Sequence, residues 1–301
     1  MGYNSLIMVS KYKFKNTLWI DLESPTRAEI LTTLEEFGLP ENMAEELGTC
    51  TLRSKADYYE KNKFIYLVLH FPVIQGNSEN TEQEIDFIIG RDFLITTRYE
   101  KIGPIQDFSK LFEKESFLEI RKMGEHAGYV FASLMREIYK SELDNLENIN
   151  DSLKKIEEDI FMGHQAEAVG VISNTNRKFL NFRQALRHHA EILGSFEAIA
   201  GDLFEPKFKH SMDMINSEYN RVKNTLDVGK EILNDLRDTN DSLLTTRTNQ
   251  TMKTLTAMTF TLLPITLITG IFGMNVSENI LFIKSSKDFI LVLLFMLMVG
   301  L

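Results

Sequence analysis

One uncharged stretch of 18 residues, 255–272, constrains the fold of this chain more than any other feature. A helix of that length is roughly 27 Å long, which is close to the hydrocarbon core of a bilayer at about 30 Å. The stretch follows a long segment with helical periodicity and charged faces. We therefore expect a helix that starts in water and crosses a membrane.

The helical segment that leads into this stretch is unusually long. From 206 to 272, only Gly229, Pro264 and Gly270 interrupt helix propensity, so a single helix of about 67 residues, or roughly 100 Å, is predicted. Such a helix suits a stalk that enters a membrane. Pro264 lies inside the apolar stretch, where it bends a helix and frees a carbonyl.

A stripe of polar side chains runs along one face of this helix. Its members recur at spacings of three and four residues, so they stay on one side. They are Asp238, Asp241, Thr245, Asn249, Met252, Leu255, Thr259, Leu263, Thr266 and Gly270. Two interpretations stay open: an ordinary helix face, through which many such stripes can be drawn, or the wall of a water-filled lumen shared by several copies. Two carboxylates, an amide and three threonines favour the lumen, because a coiled-coil seam is mostly apolar.

The tripeptide Gly273-Met274-Asn275 follows the apolar stretch at the far end of the stripe. Glycine removes side-chain bulk and permits unusual backbone angles. Mg²⁺ sheds its water reluctantly, so the Asn275 amide and nearby carbonyl oxygens suit binding through the waters of the hydrated ion. The tripeptide is therefore predicted to form a selectivity loop.

The stripe also predicts how the passage closes and where cations collect. Met252 and Leu255 form an apolar interval that can close by dewetting. Asp238 and Asp241 at the cytoplasmic end attract cations. The residues by themselves thus indicate a cation channel.

The first third of the chain, from about 12 to 102, has the pattern of a mixed α/β domain. A helix is predicted to open at Ser24 or Pro25 and to run through Phe37, with Gly38 as its stop. The turn 90–92 predicts a hairpin between the last two strands. Strands are expected at 19–22, 64–71, 85–89 and 93–97.

From about residue 105 the pattern becomes helical. Apolar residues between 143 and 160 recur at spacings of three and four, with charged residues between them. Gly163 and His164 break this helix, and a second amphipathic helix is expected from about 167 to 198. The next break lies at 201–206, with Pro206 in a first helical turn.

Charge and cysteine content restrict the partners and the compartment. The formal charge is −10, and all of it lies in the first 253 residues. This argues against nucleic acid and is compatible with cations. Cys50 is the only cysteine, which favours a reducing compartment. The N-terminus lacks a secretory pattern, so the large N-terminal region is expected in the cytoplasm.

A second apolar run, 289–301, is too short to span a bilayer. We expect it to be the start of a second membrane helix that the 301 residues truncate. The histidines at 126, 164, 188 and 189 suggest zinc, but adjacent histidines on a helix diverge and no Cys or acidic partner stands at ligand spacing. Surface or core positions are the expectation for them.

The segment from Asn249 to Asn275, with Pro264, Thr266 and Gly270 at fixed offsets, resembles the pore helix and signature loop of the CorA family of divalent-cation transporters. Upstream, 19–22 and 53–55 resemble the N-terminal domain of that family, so the resemblance covers most of the chain.

The resemblance implies an α+β fold in five parts. These are a cytoplasmic α/β/α sandwich with a helical arm at 1–205, a stalk helix at 206–253, a first transmembrane helix at 254–272, a signature loop at 273–288 and the start of a second transmembrane helix at 289–301.

The resemblance also implies a homopentamer in the inner cell membrane, with the N-terminal domain cytoplasmic. Mg²⁺ would enter down its electrochemical gradient, and Mg²⁺ on the cytoplasmic domain would hold the channel closed. Asn275 and Asp238 are the expected metal contacts, and Asp213 is a candidate regulatory ligand. No other cofactor is implied.

This chain departs from the family pattern in three places. Phe272 stands where Tyr is common. Asp241 occupies a pore-facing position that is often apolar, which predicts a second acidic ring. The basic C-terminal tail of the family is not within the 301 residues.

Other functions remain to be separated from Mg²⁺ transport. Related transporters with the same tripeptide move Zn²⁺ or Co²⁺. A membrane-anchored coiled-coil scaffold without transport explains the long helices but not the polar stripe. An enzyme is not expected, because no phosphate loop, nucleophile elbow or catalytic carboxylate pair is recognisable. Without a nucleotide site, transport should be passive.

Overall fold

The structure is a computed structural model that describes residues 8–51, 53–73, 82–113 and 125–273, with scattered positions between 290 and 298. Its centre is a six-stranded sheet in the order β1-β2-β6-β5-β4-β3. All neighbours are antiparallel except β2 and β6, which are parallel. The strands are β1 (Met8–Phe14), β2 (Thr17–Glu23), β3 (Lys55–Tyr59), β4 (Phe64–Pro72), β5 (Glu82–Ile89) and β6 (Phe93–Arg98).

The four predicted strands are confirmed, and so is the hairpin that joins β5 to β6. Every residue of β4 is buried, which agrees with its unbroken apolar run, since both faces of a central strand are covered. The edge strand β1 and the strand β3 are additions that the sequence did not predict.

Two short helices, α1 (Arg27–Glu36) and α2 (Met43–Glu46), cover one face of the sheet. The helix α1 begins later than predicted, because Thr26, rather than Ser24 or Pro25, is the N-cap. The Thr26 and Glu29 side chains each accept from the other's backbone N–H in a capping box. Gly38 has φ +62° and ends the helix as expected.

Longer helices cover the opposite face. They are α3 (Gly103–Glu113), α4 (Ala127–Met162), α5 (Gln165–Ala185), α6 (His189–Leu203) and α7 (Lys209–Gly273). Side chains of β2, β4, β5 and β6 alternate between the two faces, so Ile65 and Leu67 pack under the long helices while Tyr66 and Val68 pack under α1 and α2. The N-terminal region is therefore a three-layer α/β/α sandwich, as predicted.

The helix predicted from 167 to 198 is instead two helices, α5 and α6, separated by a 3₁₀ turn (Leu186–His188). The break places His189 inside the core, where its ring bonds to the Tyr139 hydroxyl and the His70 carbonyl oxygen, both at 2.8 Å. Gly163 ends α4 with φ +101°, as its position in the sequence indicated.

The break before α7 also differs from the prediction. The helix α6 continues through Gly201 to Leu203, and a 3₁₀ turn (Pro206–Phe208) precedes α7, which therefore begins at Lys209 rather than at Pro206. The 65 residues of α7 otherwise confirm the long uninterrupted helix, which passes through Pro264.

The helices α4 and α5 form a hairpin that packs along the first half of α7. Tyr139 of α4 lies beside Tyr219 of α7, with ring centroids 5.8 Å apart, and the hairpin turn at Gly163 reaches Arg247. The helices α4 and α7 therefore run in the same direction. At Gly229 the helix α7 closely approaches α4 and α5, since a Cβ there would meet Asn150 Oδ1 and would lie 2.9 Å from the Phe179 ring.

Candidate functional site

The part of α7 that follows Arg247 has no packing partner within the described chain. An 18-residue window of this helix has a mean hydropathy of 1.6 and is 0% buried. Large apolar side chains point outward on every side of it, including Phe260, Leu262 and Leu267. An apolar helix exposed all round is stable in hydrocarbon or against other helices rather than in water. Among the described residues, this is the one helix long and apolar enough to cross a membrane.

The face of α7 that carries the predicted stripe is the face that α4 and α5 leave uncovered. The packed side of the helix includes Leu226, Leu233 and Asn240, all buried. The ten stripe residues from Asp238 to Gly270 are all exposed. One chain cannot bring them together, because they lie on a single helix. What the structure provides is an exposed, largely polar stripe available to other copies.

Acidic side chains mark the N-terminal end of this surface. Asp238 and Asp241 are both exposed, and the nearest cation to Asp238 is Arg237, whose Nε lies 3.7 Å from Asp238 Oδ1. Exposed ion pairs of this kind are weak. Two carboxylates and one guanidinium give this end of the stripe a net negative charge.

The threonines of the stripe direct their hydroxyl hydrogens inward. Thr245, Thr259 and Thr266 each donate to the carbonyl oxygen four residues earlier, at 2.8, 2.9 and 2.6 Å. A hydroxyl has one hydrogen and two lone pairs, so each threonine then offers only acceptor lone pairs outward. Such a surface accepts hydrogen bonds from the waters of a hydrated cation.

An apolar interval divides the polar stripe. Met252 and Leu255 lie between Asn249 and Thr259, and each side chain is 58% exposed. Above them, Pro264 lacks the N–H that would bond the Phe260 carbonyl, and α7 nevertheless continues to Gly273. Along the stripe, the acidic end is therefore followed by a hydroxyl and an amide, then by the apolar interval, and then by two hydroxyls with Leu263 between them and by Gly270.

The predicted selectivity loop lies almost wholly outside the described residues. Gly273 is the last residue of α7, while Met274 and Asn275 are not among the described positions. The second apolar run is represented only by scattered helical residues between 290 and 298. The loop and the second membrane helix stay predictions.

A latch between the hairpin turn and α7 was missed by the sequence analysis. Arg247 Nη1 donates to the Gly163 carbonyl at 2.8 Å, and Asn240 Nδ2 donates to the Gln165 carbonyl at 3.1 Å. Asn240 is 1% exposed, although it stands between two exposed aspartates. The available signal was a polar residue at a core position of the heptad pattern. The latch fixes the hairpin turn to α7 between Asp238 and Met252.

The remaining predicted ligands stand apart. Asp213 is exposed on α7, and within the described ranges no three His, Cys, Asp or Glu side chains converge to hold a metal. His189 is a core residue with both ring nitrogens bonded. His126 is buried against Phe204, and burial lowers its pKa to about 4. His164 and His188 lie on the surface, with 60% and 41% of their side chains exposed.

Known proteins resemble this chain along most of its length. "Cobalt/magnesium transport protein CorA" of Thermotoga maritima is 24% identical over 261 residues, which cover 85% of this chain and 72% of that protein. "Magnesium transport protein CorA" of Wolinella succinogenes is 26% identical over 266 residues, covering 86% and 80%.

The fold has a solved counterpart as well. The complete structure of the CorA magnesium transporter from Methanocaldococcus jannaschii superposes with a TM-score of 0.79 at 20% identity, covering 97% of this chain and 90% of the other. The sequence model of the family described as "CorA-like Mg2+ transporter protein" matches residues 14–301. Together with the exposed apolar helix and its polar stripe, this match places the chain in the family of CorA-like Mg²⁺ transporter proteins.

Proposed function

We propose that this chain is one subunit of a homopentameric channel in the inner cell membrane that conducts Mg²⁺ into the cytoplasm. The observation that carries the proposal is the polar stripe on the uncovered face of the one described helix able to cross a membrane. A single helix encloses no passage, so several copies must turn this face toward a common axis. The number five comes from the resemblance to the family.

The proposed topology assigns 1–205 to the cytoplasmic domain, 206–253 to the stalk and 254–272 to the first transmembrane helix. The loop 273–288 and a second helix that starts at 289 complete the membrane part. With this orientation, the acidic end of the stripe faces the cytoplasm.

The stripe residues have distinct proposed roles. Asn275 and the backbone of Gly273 and Met274 bind the hydrated ion at the outer mouth. The Asn249 amide, the outward lone pairs of the threonines and the space beside Gly270 carry the ion through its water shell. The interval of Met252 and Leu255, with Leu263 further along, provides the apolar narrowing. Asp238 and Asp241 hold cations near the inner exit.

Passive flow is sufficient for uptake. A divalent cation gains about 4.6 kcal/mol per 100 mV of membrane potential, twice the value for a single charge. Closure would follow from Mg²⁺ bound to the cytoplasmic domain at contacts between subunits. Asp213 is the proposed candidate there, since its exposed carboxylate is free to meet a second copy.

Uptake into proteoliposomes tests the proposal. The full chain should admit Mg²⁺ with an inside-negative potential, and Asn275→Ala should abolish that uptake. Asn148→Ala, an exposed amide on α4 far from the stripe, is the matched control and should leave uptake unchanged. Uptake that survives Asn275→Ala would remove the selectivity role from the loop.

The same assay separates the alternatives. A coiled-coil scaffold gives no cation flux under any condition. Competition among Mg²⁺, Co²⁺ and Zn²⁺ identifies the preferred ion. Mg²⁺ is our proposal, and the relative from Thermotoga maritima is named for both cobalt and magnesium. A chain that admits only Zn²⁺ or Co²⁺ would refute the Mg²⁺ assignment while keeping the channel.

A further inference from the structure

Buried oxygen atoms without hydrogen-bond partners are concentrated at one place in the sheet, under α2. They belong to Tyr66 of β4, Glu84 and Asp86 of β5, and Thr97 of β6, none of which is more than 2% exposed. The unpartnered atoms are Tyr66 OH, Glu84 Oε1, both Asp86 carboxyl oxygens and Thr97 Oγ1. Buried polar atoms are nearly always paired, because an unpaired one has lost its hydrogen bonds to water without replacement. A group that completes these bonds is therefore required.

Strand register brings these side chains together. Asp86 lies opposite Thr97 on one side and opposite Val68 on the other, and Tyr66 is one same-face position along β4 from Val68. Glu84 and Asp86 are two residues apart on β5, so they share a face and their carboxyl groups interact directly. Two buried carboxyl groups in contact cannot both carry a charge.

The partners of Glu84 show which of the two is ionised. Glu84 Oε2 accepts from the Thr51 backbone N–H at 2.6 Å, and it lies 3.2 Å from His70 Nε2 and 3.3 Å from Cys50 Sγ. These donors favour the carboxylate form. Asp86 has no such donors, so the proton of the pair belongs to Asp86.

We propose that Asp86 is a neutral carboxylic acid in the folded protein, and that its proton forms a clamp that holds the segment 47–51 on the sheet. The Asp86 hydroxyl donates to Glu84 Oε1. One proton thus completes the bonds of two of the five unpartnered atoms, one on each carboxyl group. Glu84 in turn holds Thr51 and Cys50.

The charged and titratable groups around the pair come from every neighbouring element. Lys55 of β3 lies over the Tyr66 ring at 4.6 Å and bonds to Glu46 of α2. Tyr99, after β6, donates to the Leu47 carbonyl at 3.3 Å. Burial first, and then the charge of Glu84, raise the pKa of Asp86 well above its usual range, while Lys55 lowers it. The remaining groups are His70 of β4, Glu82 of β5 and Cys50.

The clamp should open as pH rises. With a folded-state pKa above the unfolded value, the stability contributed by Asp86 is fully present below the unfolded pKa and is lost as pH rises through the folded pKa. Once the proton leaves, Glu84 and Asp86 repel each other. The repulsion is relieved when the Glu84 side chain turns away from Asp86 and the segment 47–51 moves off the sheet with it.

A divalent cation is the other group able to complete oxygen ligands of this kind. The proton is favoured over a metal ion because no three metal-ligating side chains converge in the described parts of the chain. A single proton is also enough to join the two carboxyl groups without further ligands. The variant Asp86→Asn separates the two. Its amide donates to Glu84 as the protonated acid does, but it cannot titrate.

The first measurement is the thermal unfolding of the full chain in detergent with EDTA, followed by fluorescence of Trp19, the only tryptophan. Relative to Asp86→Asn, the folded-to-unfolded ratio of the wild type should fall by up to tenfold per pH unit as pH rises from the unfolded-state pKa, about 4, through the folded-state pKa. Glu60→Gln, at an exposed position, should follow the wild type. Equal pH dependence in the wild type and Asp86→Asn overturns the proposal. So does stabilisation by added Mg²⁺ that Asp86→Asn abolishes.

Cys50 supplies a local readout, since it is the only cysteine and contacts Glu84. The rate of Cys50 alkylation, measured for both proteins at the same series of pH values, should increase more steeply with pH in the wild type than in Asp86→Asn. Should Asp86→Asn fail to fold, infrared spectroscopy decides. A protonated carboxyl band should persist at about pH 6, where carboxyl groups of ordinary pKa are ionised, in a Glu142→Gln background, which removes the other described buried acid with a raised pKa. Absence of that band refutes the neutral Asp86.

Discussion

Arg98 holds an enclosed ion-pair network in the sheet, and its replacement gives a sharp test of the fold. Its side chain is 3% exposed, and Nη2 lies 2.9 Å from Asp21 Oδ2 and 2.6 Å from Glu23 Oε2. Asp21 also accepts from Thr96 Oγ1 at 2.7 Å. The network joins β6 to β2, the one parallel pair of the sheet.

Arg98→Met should destabilise the α/β/α domain by about 3–5 kcal/mol, because removing one partner leaves two enclosed carboxylates without their cation. For a domain of this size, that corresponds to a lower midpoint by roughly 6–20 °C. Arg98→Lys should fall between, since lysine keeps the charge but lacks the forked donors that reach both carboxylates.

Trp19 fluorescence is a suitable assay, because its indole N–H donates to Thr96 Oγ1 at 3.1 Å within the same network. Lys154→Met is the matched control. Lys154 pairs with Asp151 on the surface, with side chains 77% and 70% exposed, and its loss should cost less than about 1 kcal/mol. A midpoint shift for Arg98→Met no larger than that of the control would refute this account of the network.

Three further predictions concern the helices. Burial raises the pKa of Glu142 to about 8 from 4.5, so the stability of its neutral form is present below pH 4.5 and is lost as pH rises toward 8. Glu142→Gln should equal the wild type at pH 4.5 and exceed it by several kcal/mol at pH 8, at about 1.36 kcal/mol per pH unit, as thermal unfolding will measure. Leu255→Asn should let water into the apolar interval, so that proteoliposomes leak Mg²⁺ even at Mg²⁺ concentrations that close the wild-type channel. A variant that does not leak would contradict the role of Leu255 in the apolar narrowing. Thr266→Val should slow Mg²⁺ uptake by removing an acceptor worth about 1 kcal/mol, whereas Thr266→Ser should restore it; equal rates exclude a role for the hydroxyl.

Local pattern was sufficient for most elements of the fold. The strands β4, β5 and β6 were predicted because apolar and β-branched runs identify strands without knowledge of their neighbours. The long helix α7 was also predicted from local pattern, because few residues between 206 and 272 interrupt helix propensity. The stripe could be assigned to one face from spacing alone, since helical geometry fixes which residues share a side.

Features that depend on distant partners could not be predicted. The parallel pairing of β2 with β6 joins residues about 75 positions apart, and no local signal announces it. The 3₁₀ turn before His189 exists because that imidazole reaches the His70 carbonyl from another element. Asn240 was overlooked for a similar reason, because its partner is the backbone of the hairpin turn. In each case a tertiary contact outweighed local propensity.

The latch at the top of the hairpin makes α4 a strut that moves with α7. Its 36 residues form a rod about 54 Å long, rooted beside the sheet and fastened to α7 at Asn240 and Arg247. Because α4 also packs along α7 over this length, the two helices cannot slide past each other without breaking that packing. A shift of α4 at the sheet is therefore passed on to α7 as a movement of both helices together, up to the point just below Met252.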